Sequence, residues 1–234
     1  MDPGEKDLWN YKYTWGNCDI VAVTSEFFAP VLSSQTGVDY RRFKVTGTPR
    51  NDFLFNCDGR KNLQILFPDI INYEKVMLYC PTFRKVERRT IKRSDSSFDI
   101  RYFIDKYFSN ETEELLKENK FCCLIKPHPF EEKELLAKKF GKSIKIITDE
   151  ILKKMNLSLH EILNGIDFLI TDYSSIYIDY LLLNRPVMFI VDDLEEYRRR
   201  RGIMFDDYDF FTPGPKVKTT EEFKEGILTL LSDK

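Results

Sequence analysis

At 234 residues the chain can hold one large domain or two small ones, and 42% hydrophobic residues suffice for buried cores. Its 36 basic and 38 acidic residues leave a net charge of -2, which excludes a bulk electrostatic pull toward nucleic acid and makes any anion site a local one. Five cysteines, Cys18, Cys57, Cys80, Cys122 and Cys123, lack CxxC or His-paired spacing, which argues against a disulfide framework or zinc site and implies a reduced cytoplasmic compartment.

Residues 1–17 are polar and aromatic and do not resemble the first strand of an α/β domain; no signal-peptide pattern and no run of about 18 apolar residues is read. Residues 19–24 (DIVAVT) read as a short strand and 25–36 as a helix closed by Gly37. Residues 43–46 form a strand candidate, followed by the Gly/Pro/Asn-shaped turn GTPRND, which carries Arg50. Residues 56–73 lack strong periodicity and read as a linker holding one short helix. Residues 75–79 (KVMLY) read as a buried strand, CPTFR as a turn, and 86–97 as a mobile loop. A helix over 99–119, a strand at FCCLIK and a helix opened after KPHP and ended by Gly141 come next. Strand KIIT, helix SLHEILNG, strand FLIT, helix SSIYIDYLLL and strand VMFIV complete the alternation. This pattern predicts a parallel sheet covered on both faces, with ligands bound at the carboxyl ends of its strands.

CPTFR, KPHP and TDYSS each follow a predicted strand, so all three are expected to open onto one edge of the sheet. After TDYSS the first helical N–H groups lack internal partners and the helix dipole adds positive charge, so Ser174 and Ser175 join a natural phosphate site. Simple N-capping is the competing reading of that stretch. Asp179, one turn after Ser175, shares its helix face and suits a ligand hydroxyl better than a phosphate. In KPHP the prolines hold the turn extended, Lys126 offers a point charge, and His128 can donate to a phosphoryl oxygen or protonate a leaving group. Thr82 offers a hydroxyl and Arg84 a fork-shaped donor. Arg50 is either a ligand contact or a domain-edge salt bridge, and His160 reads as a helix-face residue without a role. Residues 192–202 read as a helix capped by Asp192 or Asp193, with Glu195 and Glu196 paired to Arg199 and Arg200 and Gly202 as its stop, in preference to an acceptor-phosphate or membrane-surface patch; Arg201 is left as a candidate at the site's mouth. DDYD at 206–209 is too slight a pattern to predict a metal, and neither GxGxxG nor GxxxxGK[ST] occurs.

GTPRND, YCPTFR, KPHP, ITDYSSIYIDYLLLNRP and DLEEYRRRRGIMFD, in this order and followed by TPGP, make the chain similar to the CDP-glycerol glycerophosphotransferase family of teichoic acid primases and polymerases. The resemblance runs from about residue 19 to the end and is most specific over 168–215. KPHP and paired serines also occur in other transferases of the same two-domain fold, sialyltransferases among them.

The resemblance implies a GT-B-like α/β fold with a Rossmann-like parallel sheet and helices on both faces. Residues 1–55 would be the remnant of an incomplete acceptor-side domain, 56–73 a linker, and 74–234 the nucleotide-donor domain. The implied contacts to CDP-glycerol, or a related CDP-polyol, are Arg50, Pro81, Thr82, Lys126, Pro127, His128, Ser174, Ser175 and Asp179. Arg84 and Arg201 are further candidate phosphate contacts, His128 is the candidate catalytic residue, and no cofactor is implied. The implied reaction passes glycerol phosphate to a polyol-phosphate acceptor on a lipid carrier, with peripheral contact at the inner face of the membrane and no nucleic acid. The family's WHGT-type segment, whose histidine serves as base, has no match here. The chain is therefore expected to be a fragment, or a short homologue whose base is lost or supplied by a partner chain, and to hold donor better than it turns it over. The alternatives are a noncatalytic nucleotide-binding subunit and another GT-B nucleotide-sugar transferase of capsule or sialic acid type.

Overall fold

The computed structural model describes residues 15, 17–87, 92–94, 98–203 and 207–232, and the chain divides into two units, Met1–Phe55 and Asn56–Lys234. In the first, strands β1 (Val21–Val23) and β2 (Phe43–Val45) pair in parallel with helix α1 (Phe28–Thr36) between them. The helix stops at Gly37, whose φ of 68° is left-handed and costs glycine least; its N–H donates to the Ser33 carbonyl at 2.9 Å. Val21, Val23, Ala29, Val38 and Phe43 form the small core. Pro49 begins the 3-10 turn Pro49–Asp52, a position where its missing N–H costs nothing, and Arg50 follows it.

The second unit begins with a departure from expectation, because residues 56–73 are not a linker. They form helix α2 (Gly59–Leu66), capped by the Asp58 side chain, and the 3-10 turn Pro68–Asn72, with Leu63 and Ile70 buried. The helix is seated by a close backbone approach: the Gly59 N–H donates to Asn164 Oδ1 at 2.6 Å, and a Cβ on Gly59 would stand 2.5 Å from the nitrogen of Gly165. A glycine-to-glycine contact of this kind leaves no periodic signal in the sequence.

The chain continues through β3 (Lys75–Tyr79), an antiparallel pair β4 (Lys85–Glu87) and β5 (Lys92–Ser94), α3 (Ile100–Tyr107), α4 (Asn110–Glu118) and β6 (Phe121–Ile125). Then come α5 (Glu132–Leu136), β7 (Ile144–Ile146), α6 (Asp149–Lys154), α7 (His160–Leu163), β8 (Phe168–Thr171) and α8 (Ile176–Tyr180). β9 (Val187–Ile190), α9 (Leu194–Arg201), α10 (Tyr208–Phe211), β10 (Lys216–Val217) and α11 (Thr220–Ser232) finish it. The β4–β5 pair occupies part of the stretch expected as a mobile loop; residues 88–91 and 95–97 lie outside the described residues. The single helix expected over 99–119 is two, because Ser109 takes an extended conformation and restarts the helix at Asn110, both residues preferring caps to helix interiors.

Six strands form one wholly parallel sheet in the order β10-β9-β8-β3-β6-β7. Alternate residues Met77, Tyr79, Cys123, Ile125, Phe168 and Ile170 join one core with Phe103, Ile104, Tyr107 and Phe223 from α3 and α11. The intervening Val76, Leu78, Cys122, Leu124, Leu169 and Phe189 are equally buried on the other face, where Tyr177 of α8 packs edge-on against Phe189. Burial on both faces explains the near-continuous apolar runs of these strands. Construction starts at β3, moves outward through β6 and β7, then returns to the other side for β8, β9 and β10. That reversal opens a crevice at the carboxyl ends of β3 and β8, the place where open α/β sheets take ligands.

Candidate functional site

A cavity of about 740 Å³ lies at these strand ends. Of the expected residues, Pro81, Lys126, Pro127, His128 and Ser174 line it together; Thr82, Arg84, Ser175, Asp179 and Arg201 do not, and Arg50 belongs to the first unit. The cavity also takes Asp149, Ser158 and Glu161 from α6, α7 and the segment between them. Asp149 was within reach of sequence reasoning, since it opens α6 just after β7 by the same strand-end rule that selected the other turns.

His128 stands on the turn after β6, half-buried between Phe83 and Phe130, with ring centroids 5.1 and 4.9 Å away. Its Nδ1 accepts from the Phe130 N–H at 3.3 Å, which assigns the ring proton to Nε2. Burial lowers its pKa from the usual 6.5, nearby Lys126 lowers it further, and Asp149 and Glu132 oppose both. The neutral ring with an Nε2–H is therefore the species at neutral pH, a hydrogen-bond donor rather than a strong acid.

Lys126 is not an open point charge. Its Nζ lies 2.8 Å from Asp149 Oδ1 and 3.3 Å from Glu132 Oε1 and donates to the Pro127 carbonyl at 2.9 Å. Glu132 also accepts from the Asp149 N–H at 2.8 Å, so the lysine knits the ends of β6 and β7 to the starts of α5 and α6.

Arg84 departs further from expectation. It is 1% exposed, and its guanidinium is 2.8 Å from Asp172 and 2.8 Å from Asp193, with a third contact to the Thr82 carbonyl at 2.7 Å. The Phe103, Tyr173 and Tyr197 rings stand about it, centroids 5.0, 4.9 and 5.3 Å away. Burial by itself depresses the guanidinium pKa, but the two carboxylates outweigh it and the net shift is upward. Arg84 is thus a buried counter-ion rather than a phosphate contact, because water and ligand cannot reach it.

Asp172, which sequence reasoning passed over, is the hub of this cluster. Besides Arg84 it accepts from the Thr82 N–H at 2.8 Å and hydroxyl at 2.6 Å, from the Tyr173 N–H at 2.6 Å and from the Ser174 N–H at 3.2 Å. The Thr82 hydroxyl proton and two amides of the TDYSS turn are therefore already committed. α8 has five residues, and its N-cap Ser175 makes no side-chain capping bond. What this turn offers the cavity is the Ser174 hydroxyl more than a run of helix amides.

Asp179 is buried, and its Oδ2 lies 3.1 Å from Nε2 of His160. His160, expected to be a bare helix-face residue, is thus tied to one of the candidate ligand contacts. Asp193, expected to cap α9, instead binds Arg84 and accepts from the Tyr173 hydroxyl at 2.8 Å. On α9 Glu196 pairs with Arg200 at 2.7 Å as expected, whereas Glu195 takes Arg198; Gly202 ends the helix at a φ of 81°. Of DDYD, Asp206 lies outside the described residues, and Asp207 caps α10.

The family described as CDP-glycerol:poly(glycerophosphate) glycerophosphotransferase matches this chain over residues 3–234. The chain belongs to that family. Among curated relatives, the teichoic acid glycerol-phosphate primase of Bacillus subtilis (strain 168) is 26% identical over 98% of this chain and 54% of its own length. A teichoic acid poly(ribitol-phosphate) polymerase of Bacillus spizizenii is 32% identical over 86% of this chain and 30% of its own length. One of the solved structures of the wall teichoic acid polymerase TagF superposes with a TM-score of 0.69 at 22% identity, covering 97% of this chain and 51% of that one. The parallel α/β architecture of this glycerophosphotransferase-family chain, GT-B-like in kind, is therefore that of TagF. The chain spans about half the length of the primase it matches.

Proposed function

We propose that the second unit holds CDP-glycerol, or a close CDP-polyol, in the cavity at the strand ends, and that the chain serves polyol-phosphate transfer to an acceptor on a lipid carrier. What supports this reading is the convergence of Lys126, His128 and Ser174 on one cavity of about 740 Å³ in a chain of the glycerophosphotransferase family. That volume suits a ligand of nucleotide size.

In the reaction so read, the acceptor's terminal hydroxyl attacks the glycerol-bearing phosphorus. The bond from that phosphorus to the bridging oxygen breaks, CMP leaves with that oxygen, and the acceptor's proton passes to a base. Such transfer asks the protein for positioning and charge neutralisation more than covalent chemistry. The Nε2–H of His128 donates to a diphosphate oxygen and steadies the charge gathering on departing CMP. Ser174 adds a hydroxyl donor from the cavity wall, Lys126 holds the KPHP turn in register, and Ser175 and Asp179, which do not line the cavity, belong to the turn and helix behind Ser174. A lipid-carried acceptor implies peripheral work at the inner face of the membrane.

Calorimetric titration of the chain with CDP-glycerol, CDP-ribitol, CMP-sialic acid and a UDP-sugar tests the reading. A CDP-polyol is expected to bind in preference to the other two classes. Binding of a UDP-sugar or CMP-sialic acid alone refutes it.

A further inference from the structure

A diphosphate in the cavity has to be met by positive charge, and the wall has little of it to spare. Among the described residues the cations that line it are Lys126 and Lys153, the carboxylates Asp149 and Glu161. Lys126 is already answered, by Asp149 at 2.8 Å and Glu132 at 3.3 Å, and its side chain is only 7% exposed. Drawing it onto a ligand would leave two carboxylates without their cation. Lys153 differs on each point. It follows Asp149 and Leu152 on α6 at the i, i+3 and i+4 positions that share one helix face, and that face lines the cavity. The residue is exposed, and its ammonium has no hydrogen-bond or ion-pair partner among the described residues. The next residue, Lys154, does not line the cavity and is held by Glu150 at 2.8 Å.

We propose that Lys153 is the cation that meets the diphosphate of the donor, its ammonium moving onto a phosphate oxygen when the donor binds. The inference rests on the donor-site reading given above, and it gives the neutralising role to a residue outside the KPHP and TDYSS turns. The flexible four-carbon stem of a lysine lets a compact charge follow the phosphate, and no carboxylate has to release it first.

The experiment titrates CDP-glycerol calorimetrically into the unaltered chain, Lys153→Met, Lys153→Glu, Lys153→Arg and Lys154→Met at about 50 mM and about 500 mM salt, with circular dichroism melts confirming that each is folded. At low salt Lys153→Met is expected to weaken binding about 5-fold, the upper end for an exposed charge pair, and Lys153→Glu about 25-fold, since reversal doubles the change in charge. Lys153→Arg, which keeps the charge, stays within roughly 3-fold of the unaltered chain. Lys154→Met removes the same charge from the same helix but away from the cavity, and is expected to change affinity less than about 2-fold. At high salt the gap between Lys153→Met and the unaltered chain narrows to under about 2-fold. Should Lys153→Met unfold, Lys153→Gln takes its place. Equal losses in Lys153→Met and Lys154→Met, or a loss in Lys153→Met that salt does not shrink, overturn the proposal. Binding of CDP-glycerol by the unaltered chain with no loss in Lys153→Met also overturns it and leaves the donor-site reading standing. If the unaltered chain fails to bind CDP-glycerol, that reading falls and this inference with it.

Discussion

Replacing Glu131 with glutamine is expected to stabilise the chain at and above neutral pH and to change little below 4.5. Glu131 is 3% exposed; its Oε1 accepts one long hydrogen bond, 3.4 Å from the Arg84 N–H, and its Oε2 has no partner. Burial pushes its pKa up from 4.5 to about 7; the Arg84 N–H and charge pull it back part of the way, and Asp172 adds to the rise. Because the folded-state value lies above the unfolded one, the folded chain keeps a proton that the unfolded chain has released between 4.5 and about 7. Stability is therefore highest, as far as this group decides it, below 4.5 and is lost as pH rises through about 7. At about 1.36 kcal/mol per pH unit the rise corresponds to about 3 kcal/mol by about pH 8. Glutamine has no charge to desolvate and keeps an oxygen for the Arg84 N–H. In a chain of this size about 3 kcal/mol is roughly 6–12 °C in melting temperature. Thermal melts of both chains between about pH 4 and pH 8.5 check this, with the curves expected to separate as pH rises from 4.5 to about 7 and to stay a constant distance apart above it. Parallel curves, or a glutamine variant that melts lower than the unaltered chain at about pH 8, would refute the reasoning, since the carboxylate would then be solvated or paired in solution.

Two further outcomes are expected. Ser174→Ala with Ser175→Ala, and separately His128→Ala, should each weaken CDP-glycerol about 10-fold or more in calorimetric titration while leaving the melt close to that of the unaltered chain; unchanged affinity for the serine pair would return both residues to a structural turn. Arg84→Met should destabilise the fold by about 3–5 kcal/mol in chemical denaturation, because it leaves Asp172 and Asp193 buried without their cation; a loss under about 1 kcal/mol would mean that water reaches the cluster.

Much of the site's location was legible in the chain. KVMLY, FCCLI, FLIT and VMFI announce buried strands by apolar content, and a polar turn after a parallel strand must emerge at the sheet's carboxyl edge. That rule puts the CPTFR, KPHP and TDYSS turns at one edge, and Lys126, His128 and Ser174 from the last two line one cavity together. Less legible was what each side chain does there. Lys126 and Arg84 read as free cations for phosphate, but both are engaged with carboxylates. His160 read as bland because its partner lies on another helix.

The sequence by itself determined the alternation of strands and helices and the edge of the sheet where chemistry belongs, since these depend on local periodicity and short-range turn chemistry, while its PRND, KPHP and TDYSS segments carried the resemblance to the family. Only the tertiary structure decided which polar groups are spent on one another. Arg84 and Asp193 stand 109 residues apart in the chain and Thr82 and Asp172 stand 90 apart, yet the strand order sets β3 beside β8 and brings them into contact. Burial then fixes the outcome: an ion with no water around it must take the nearest opposite charge or lose its own, and neither the neighbour nor the burial is written in the residues on either side.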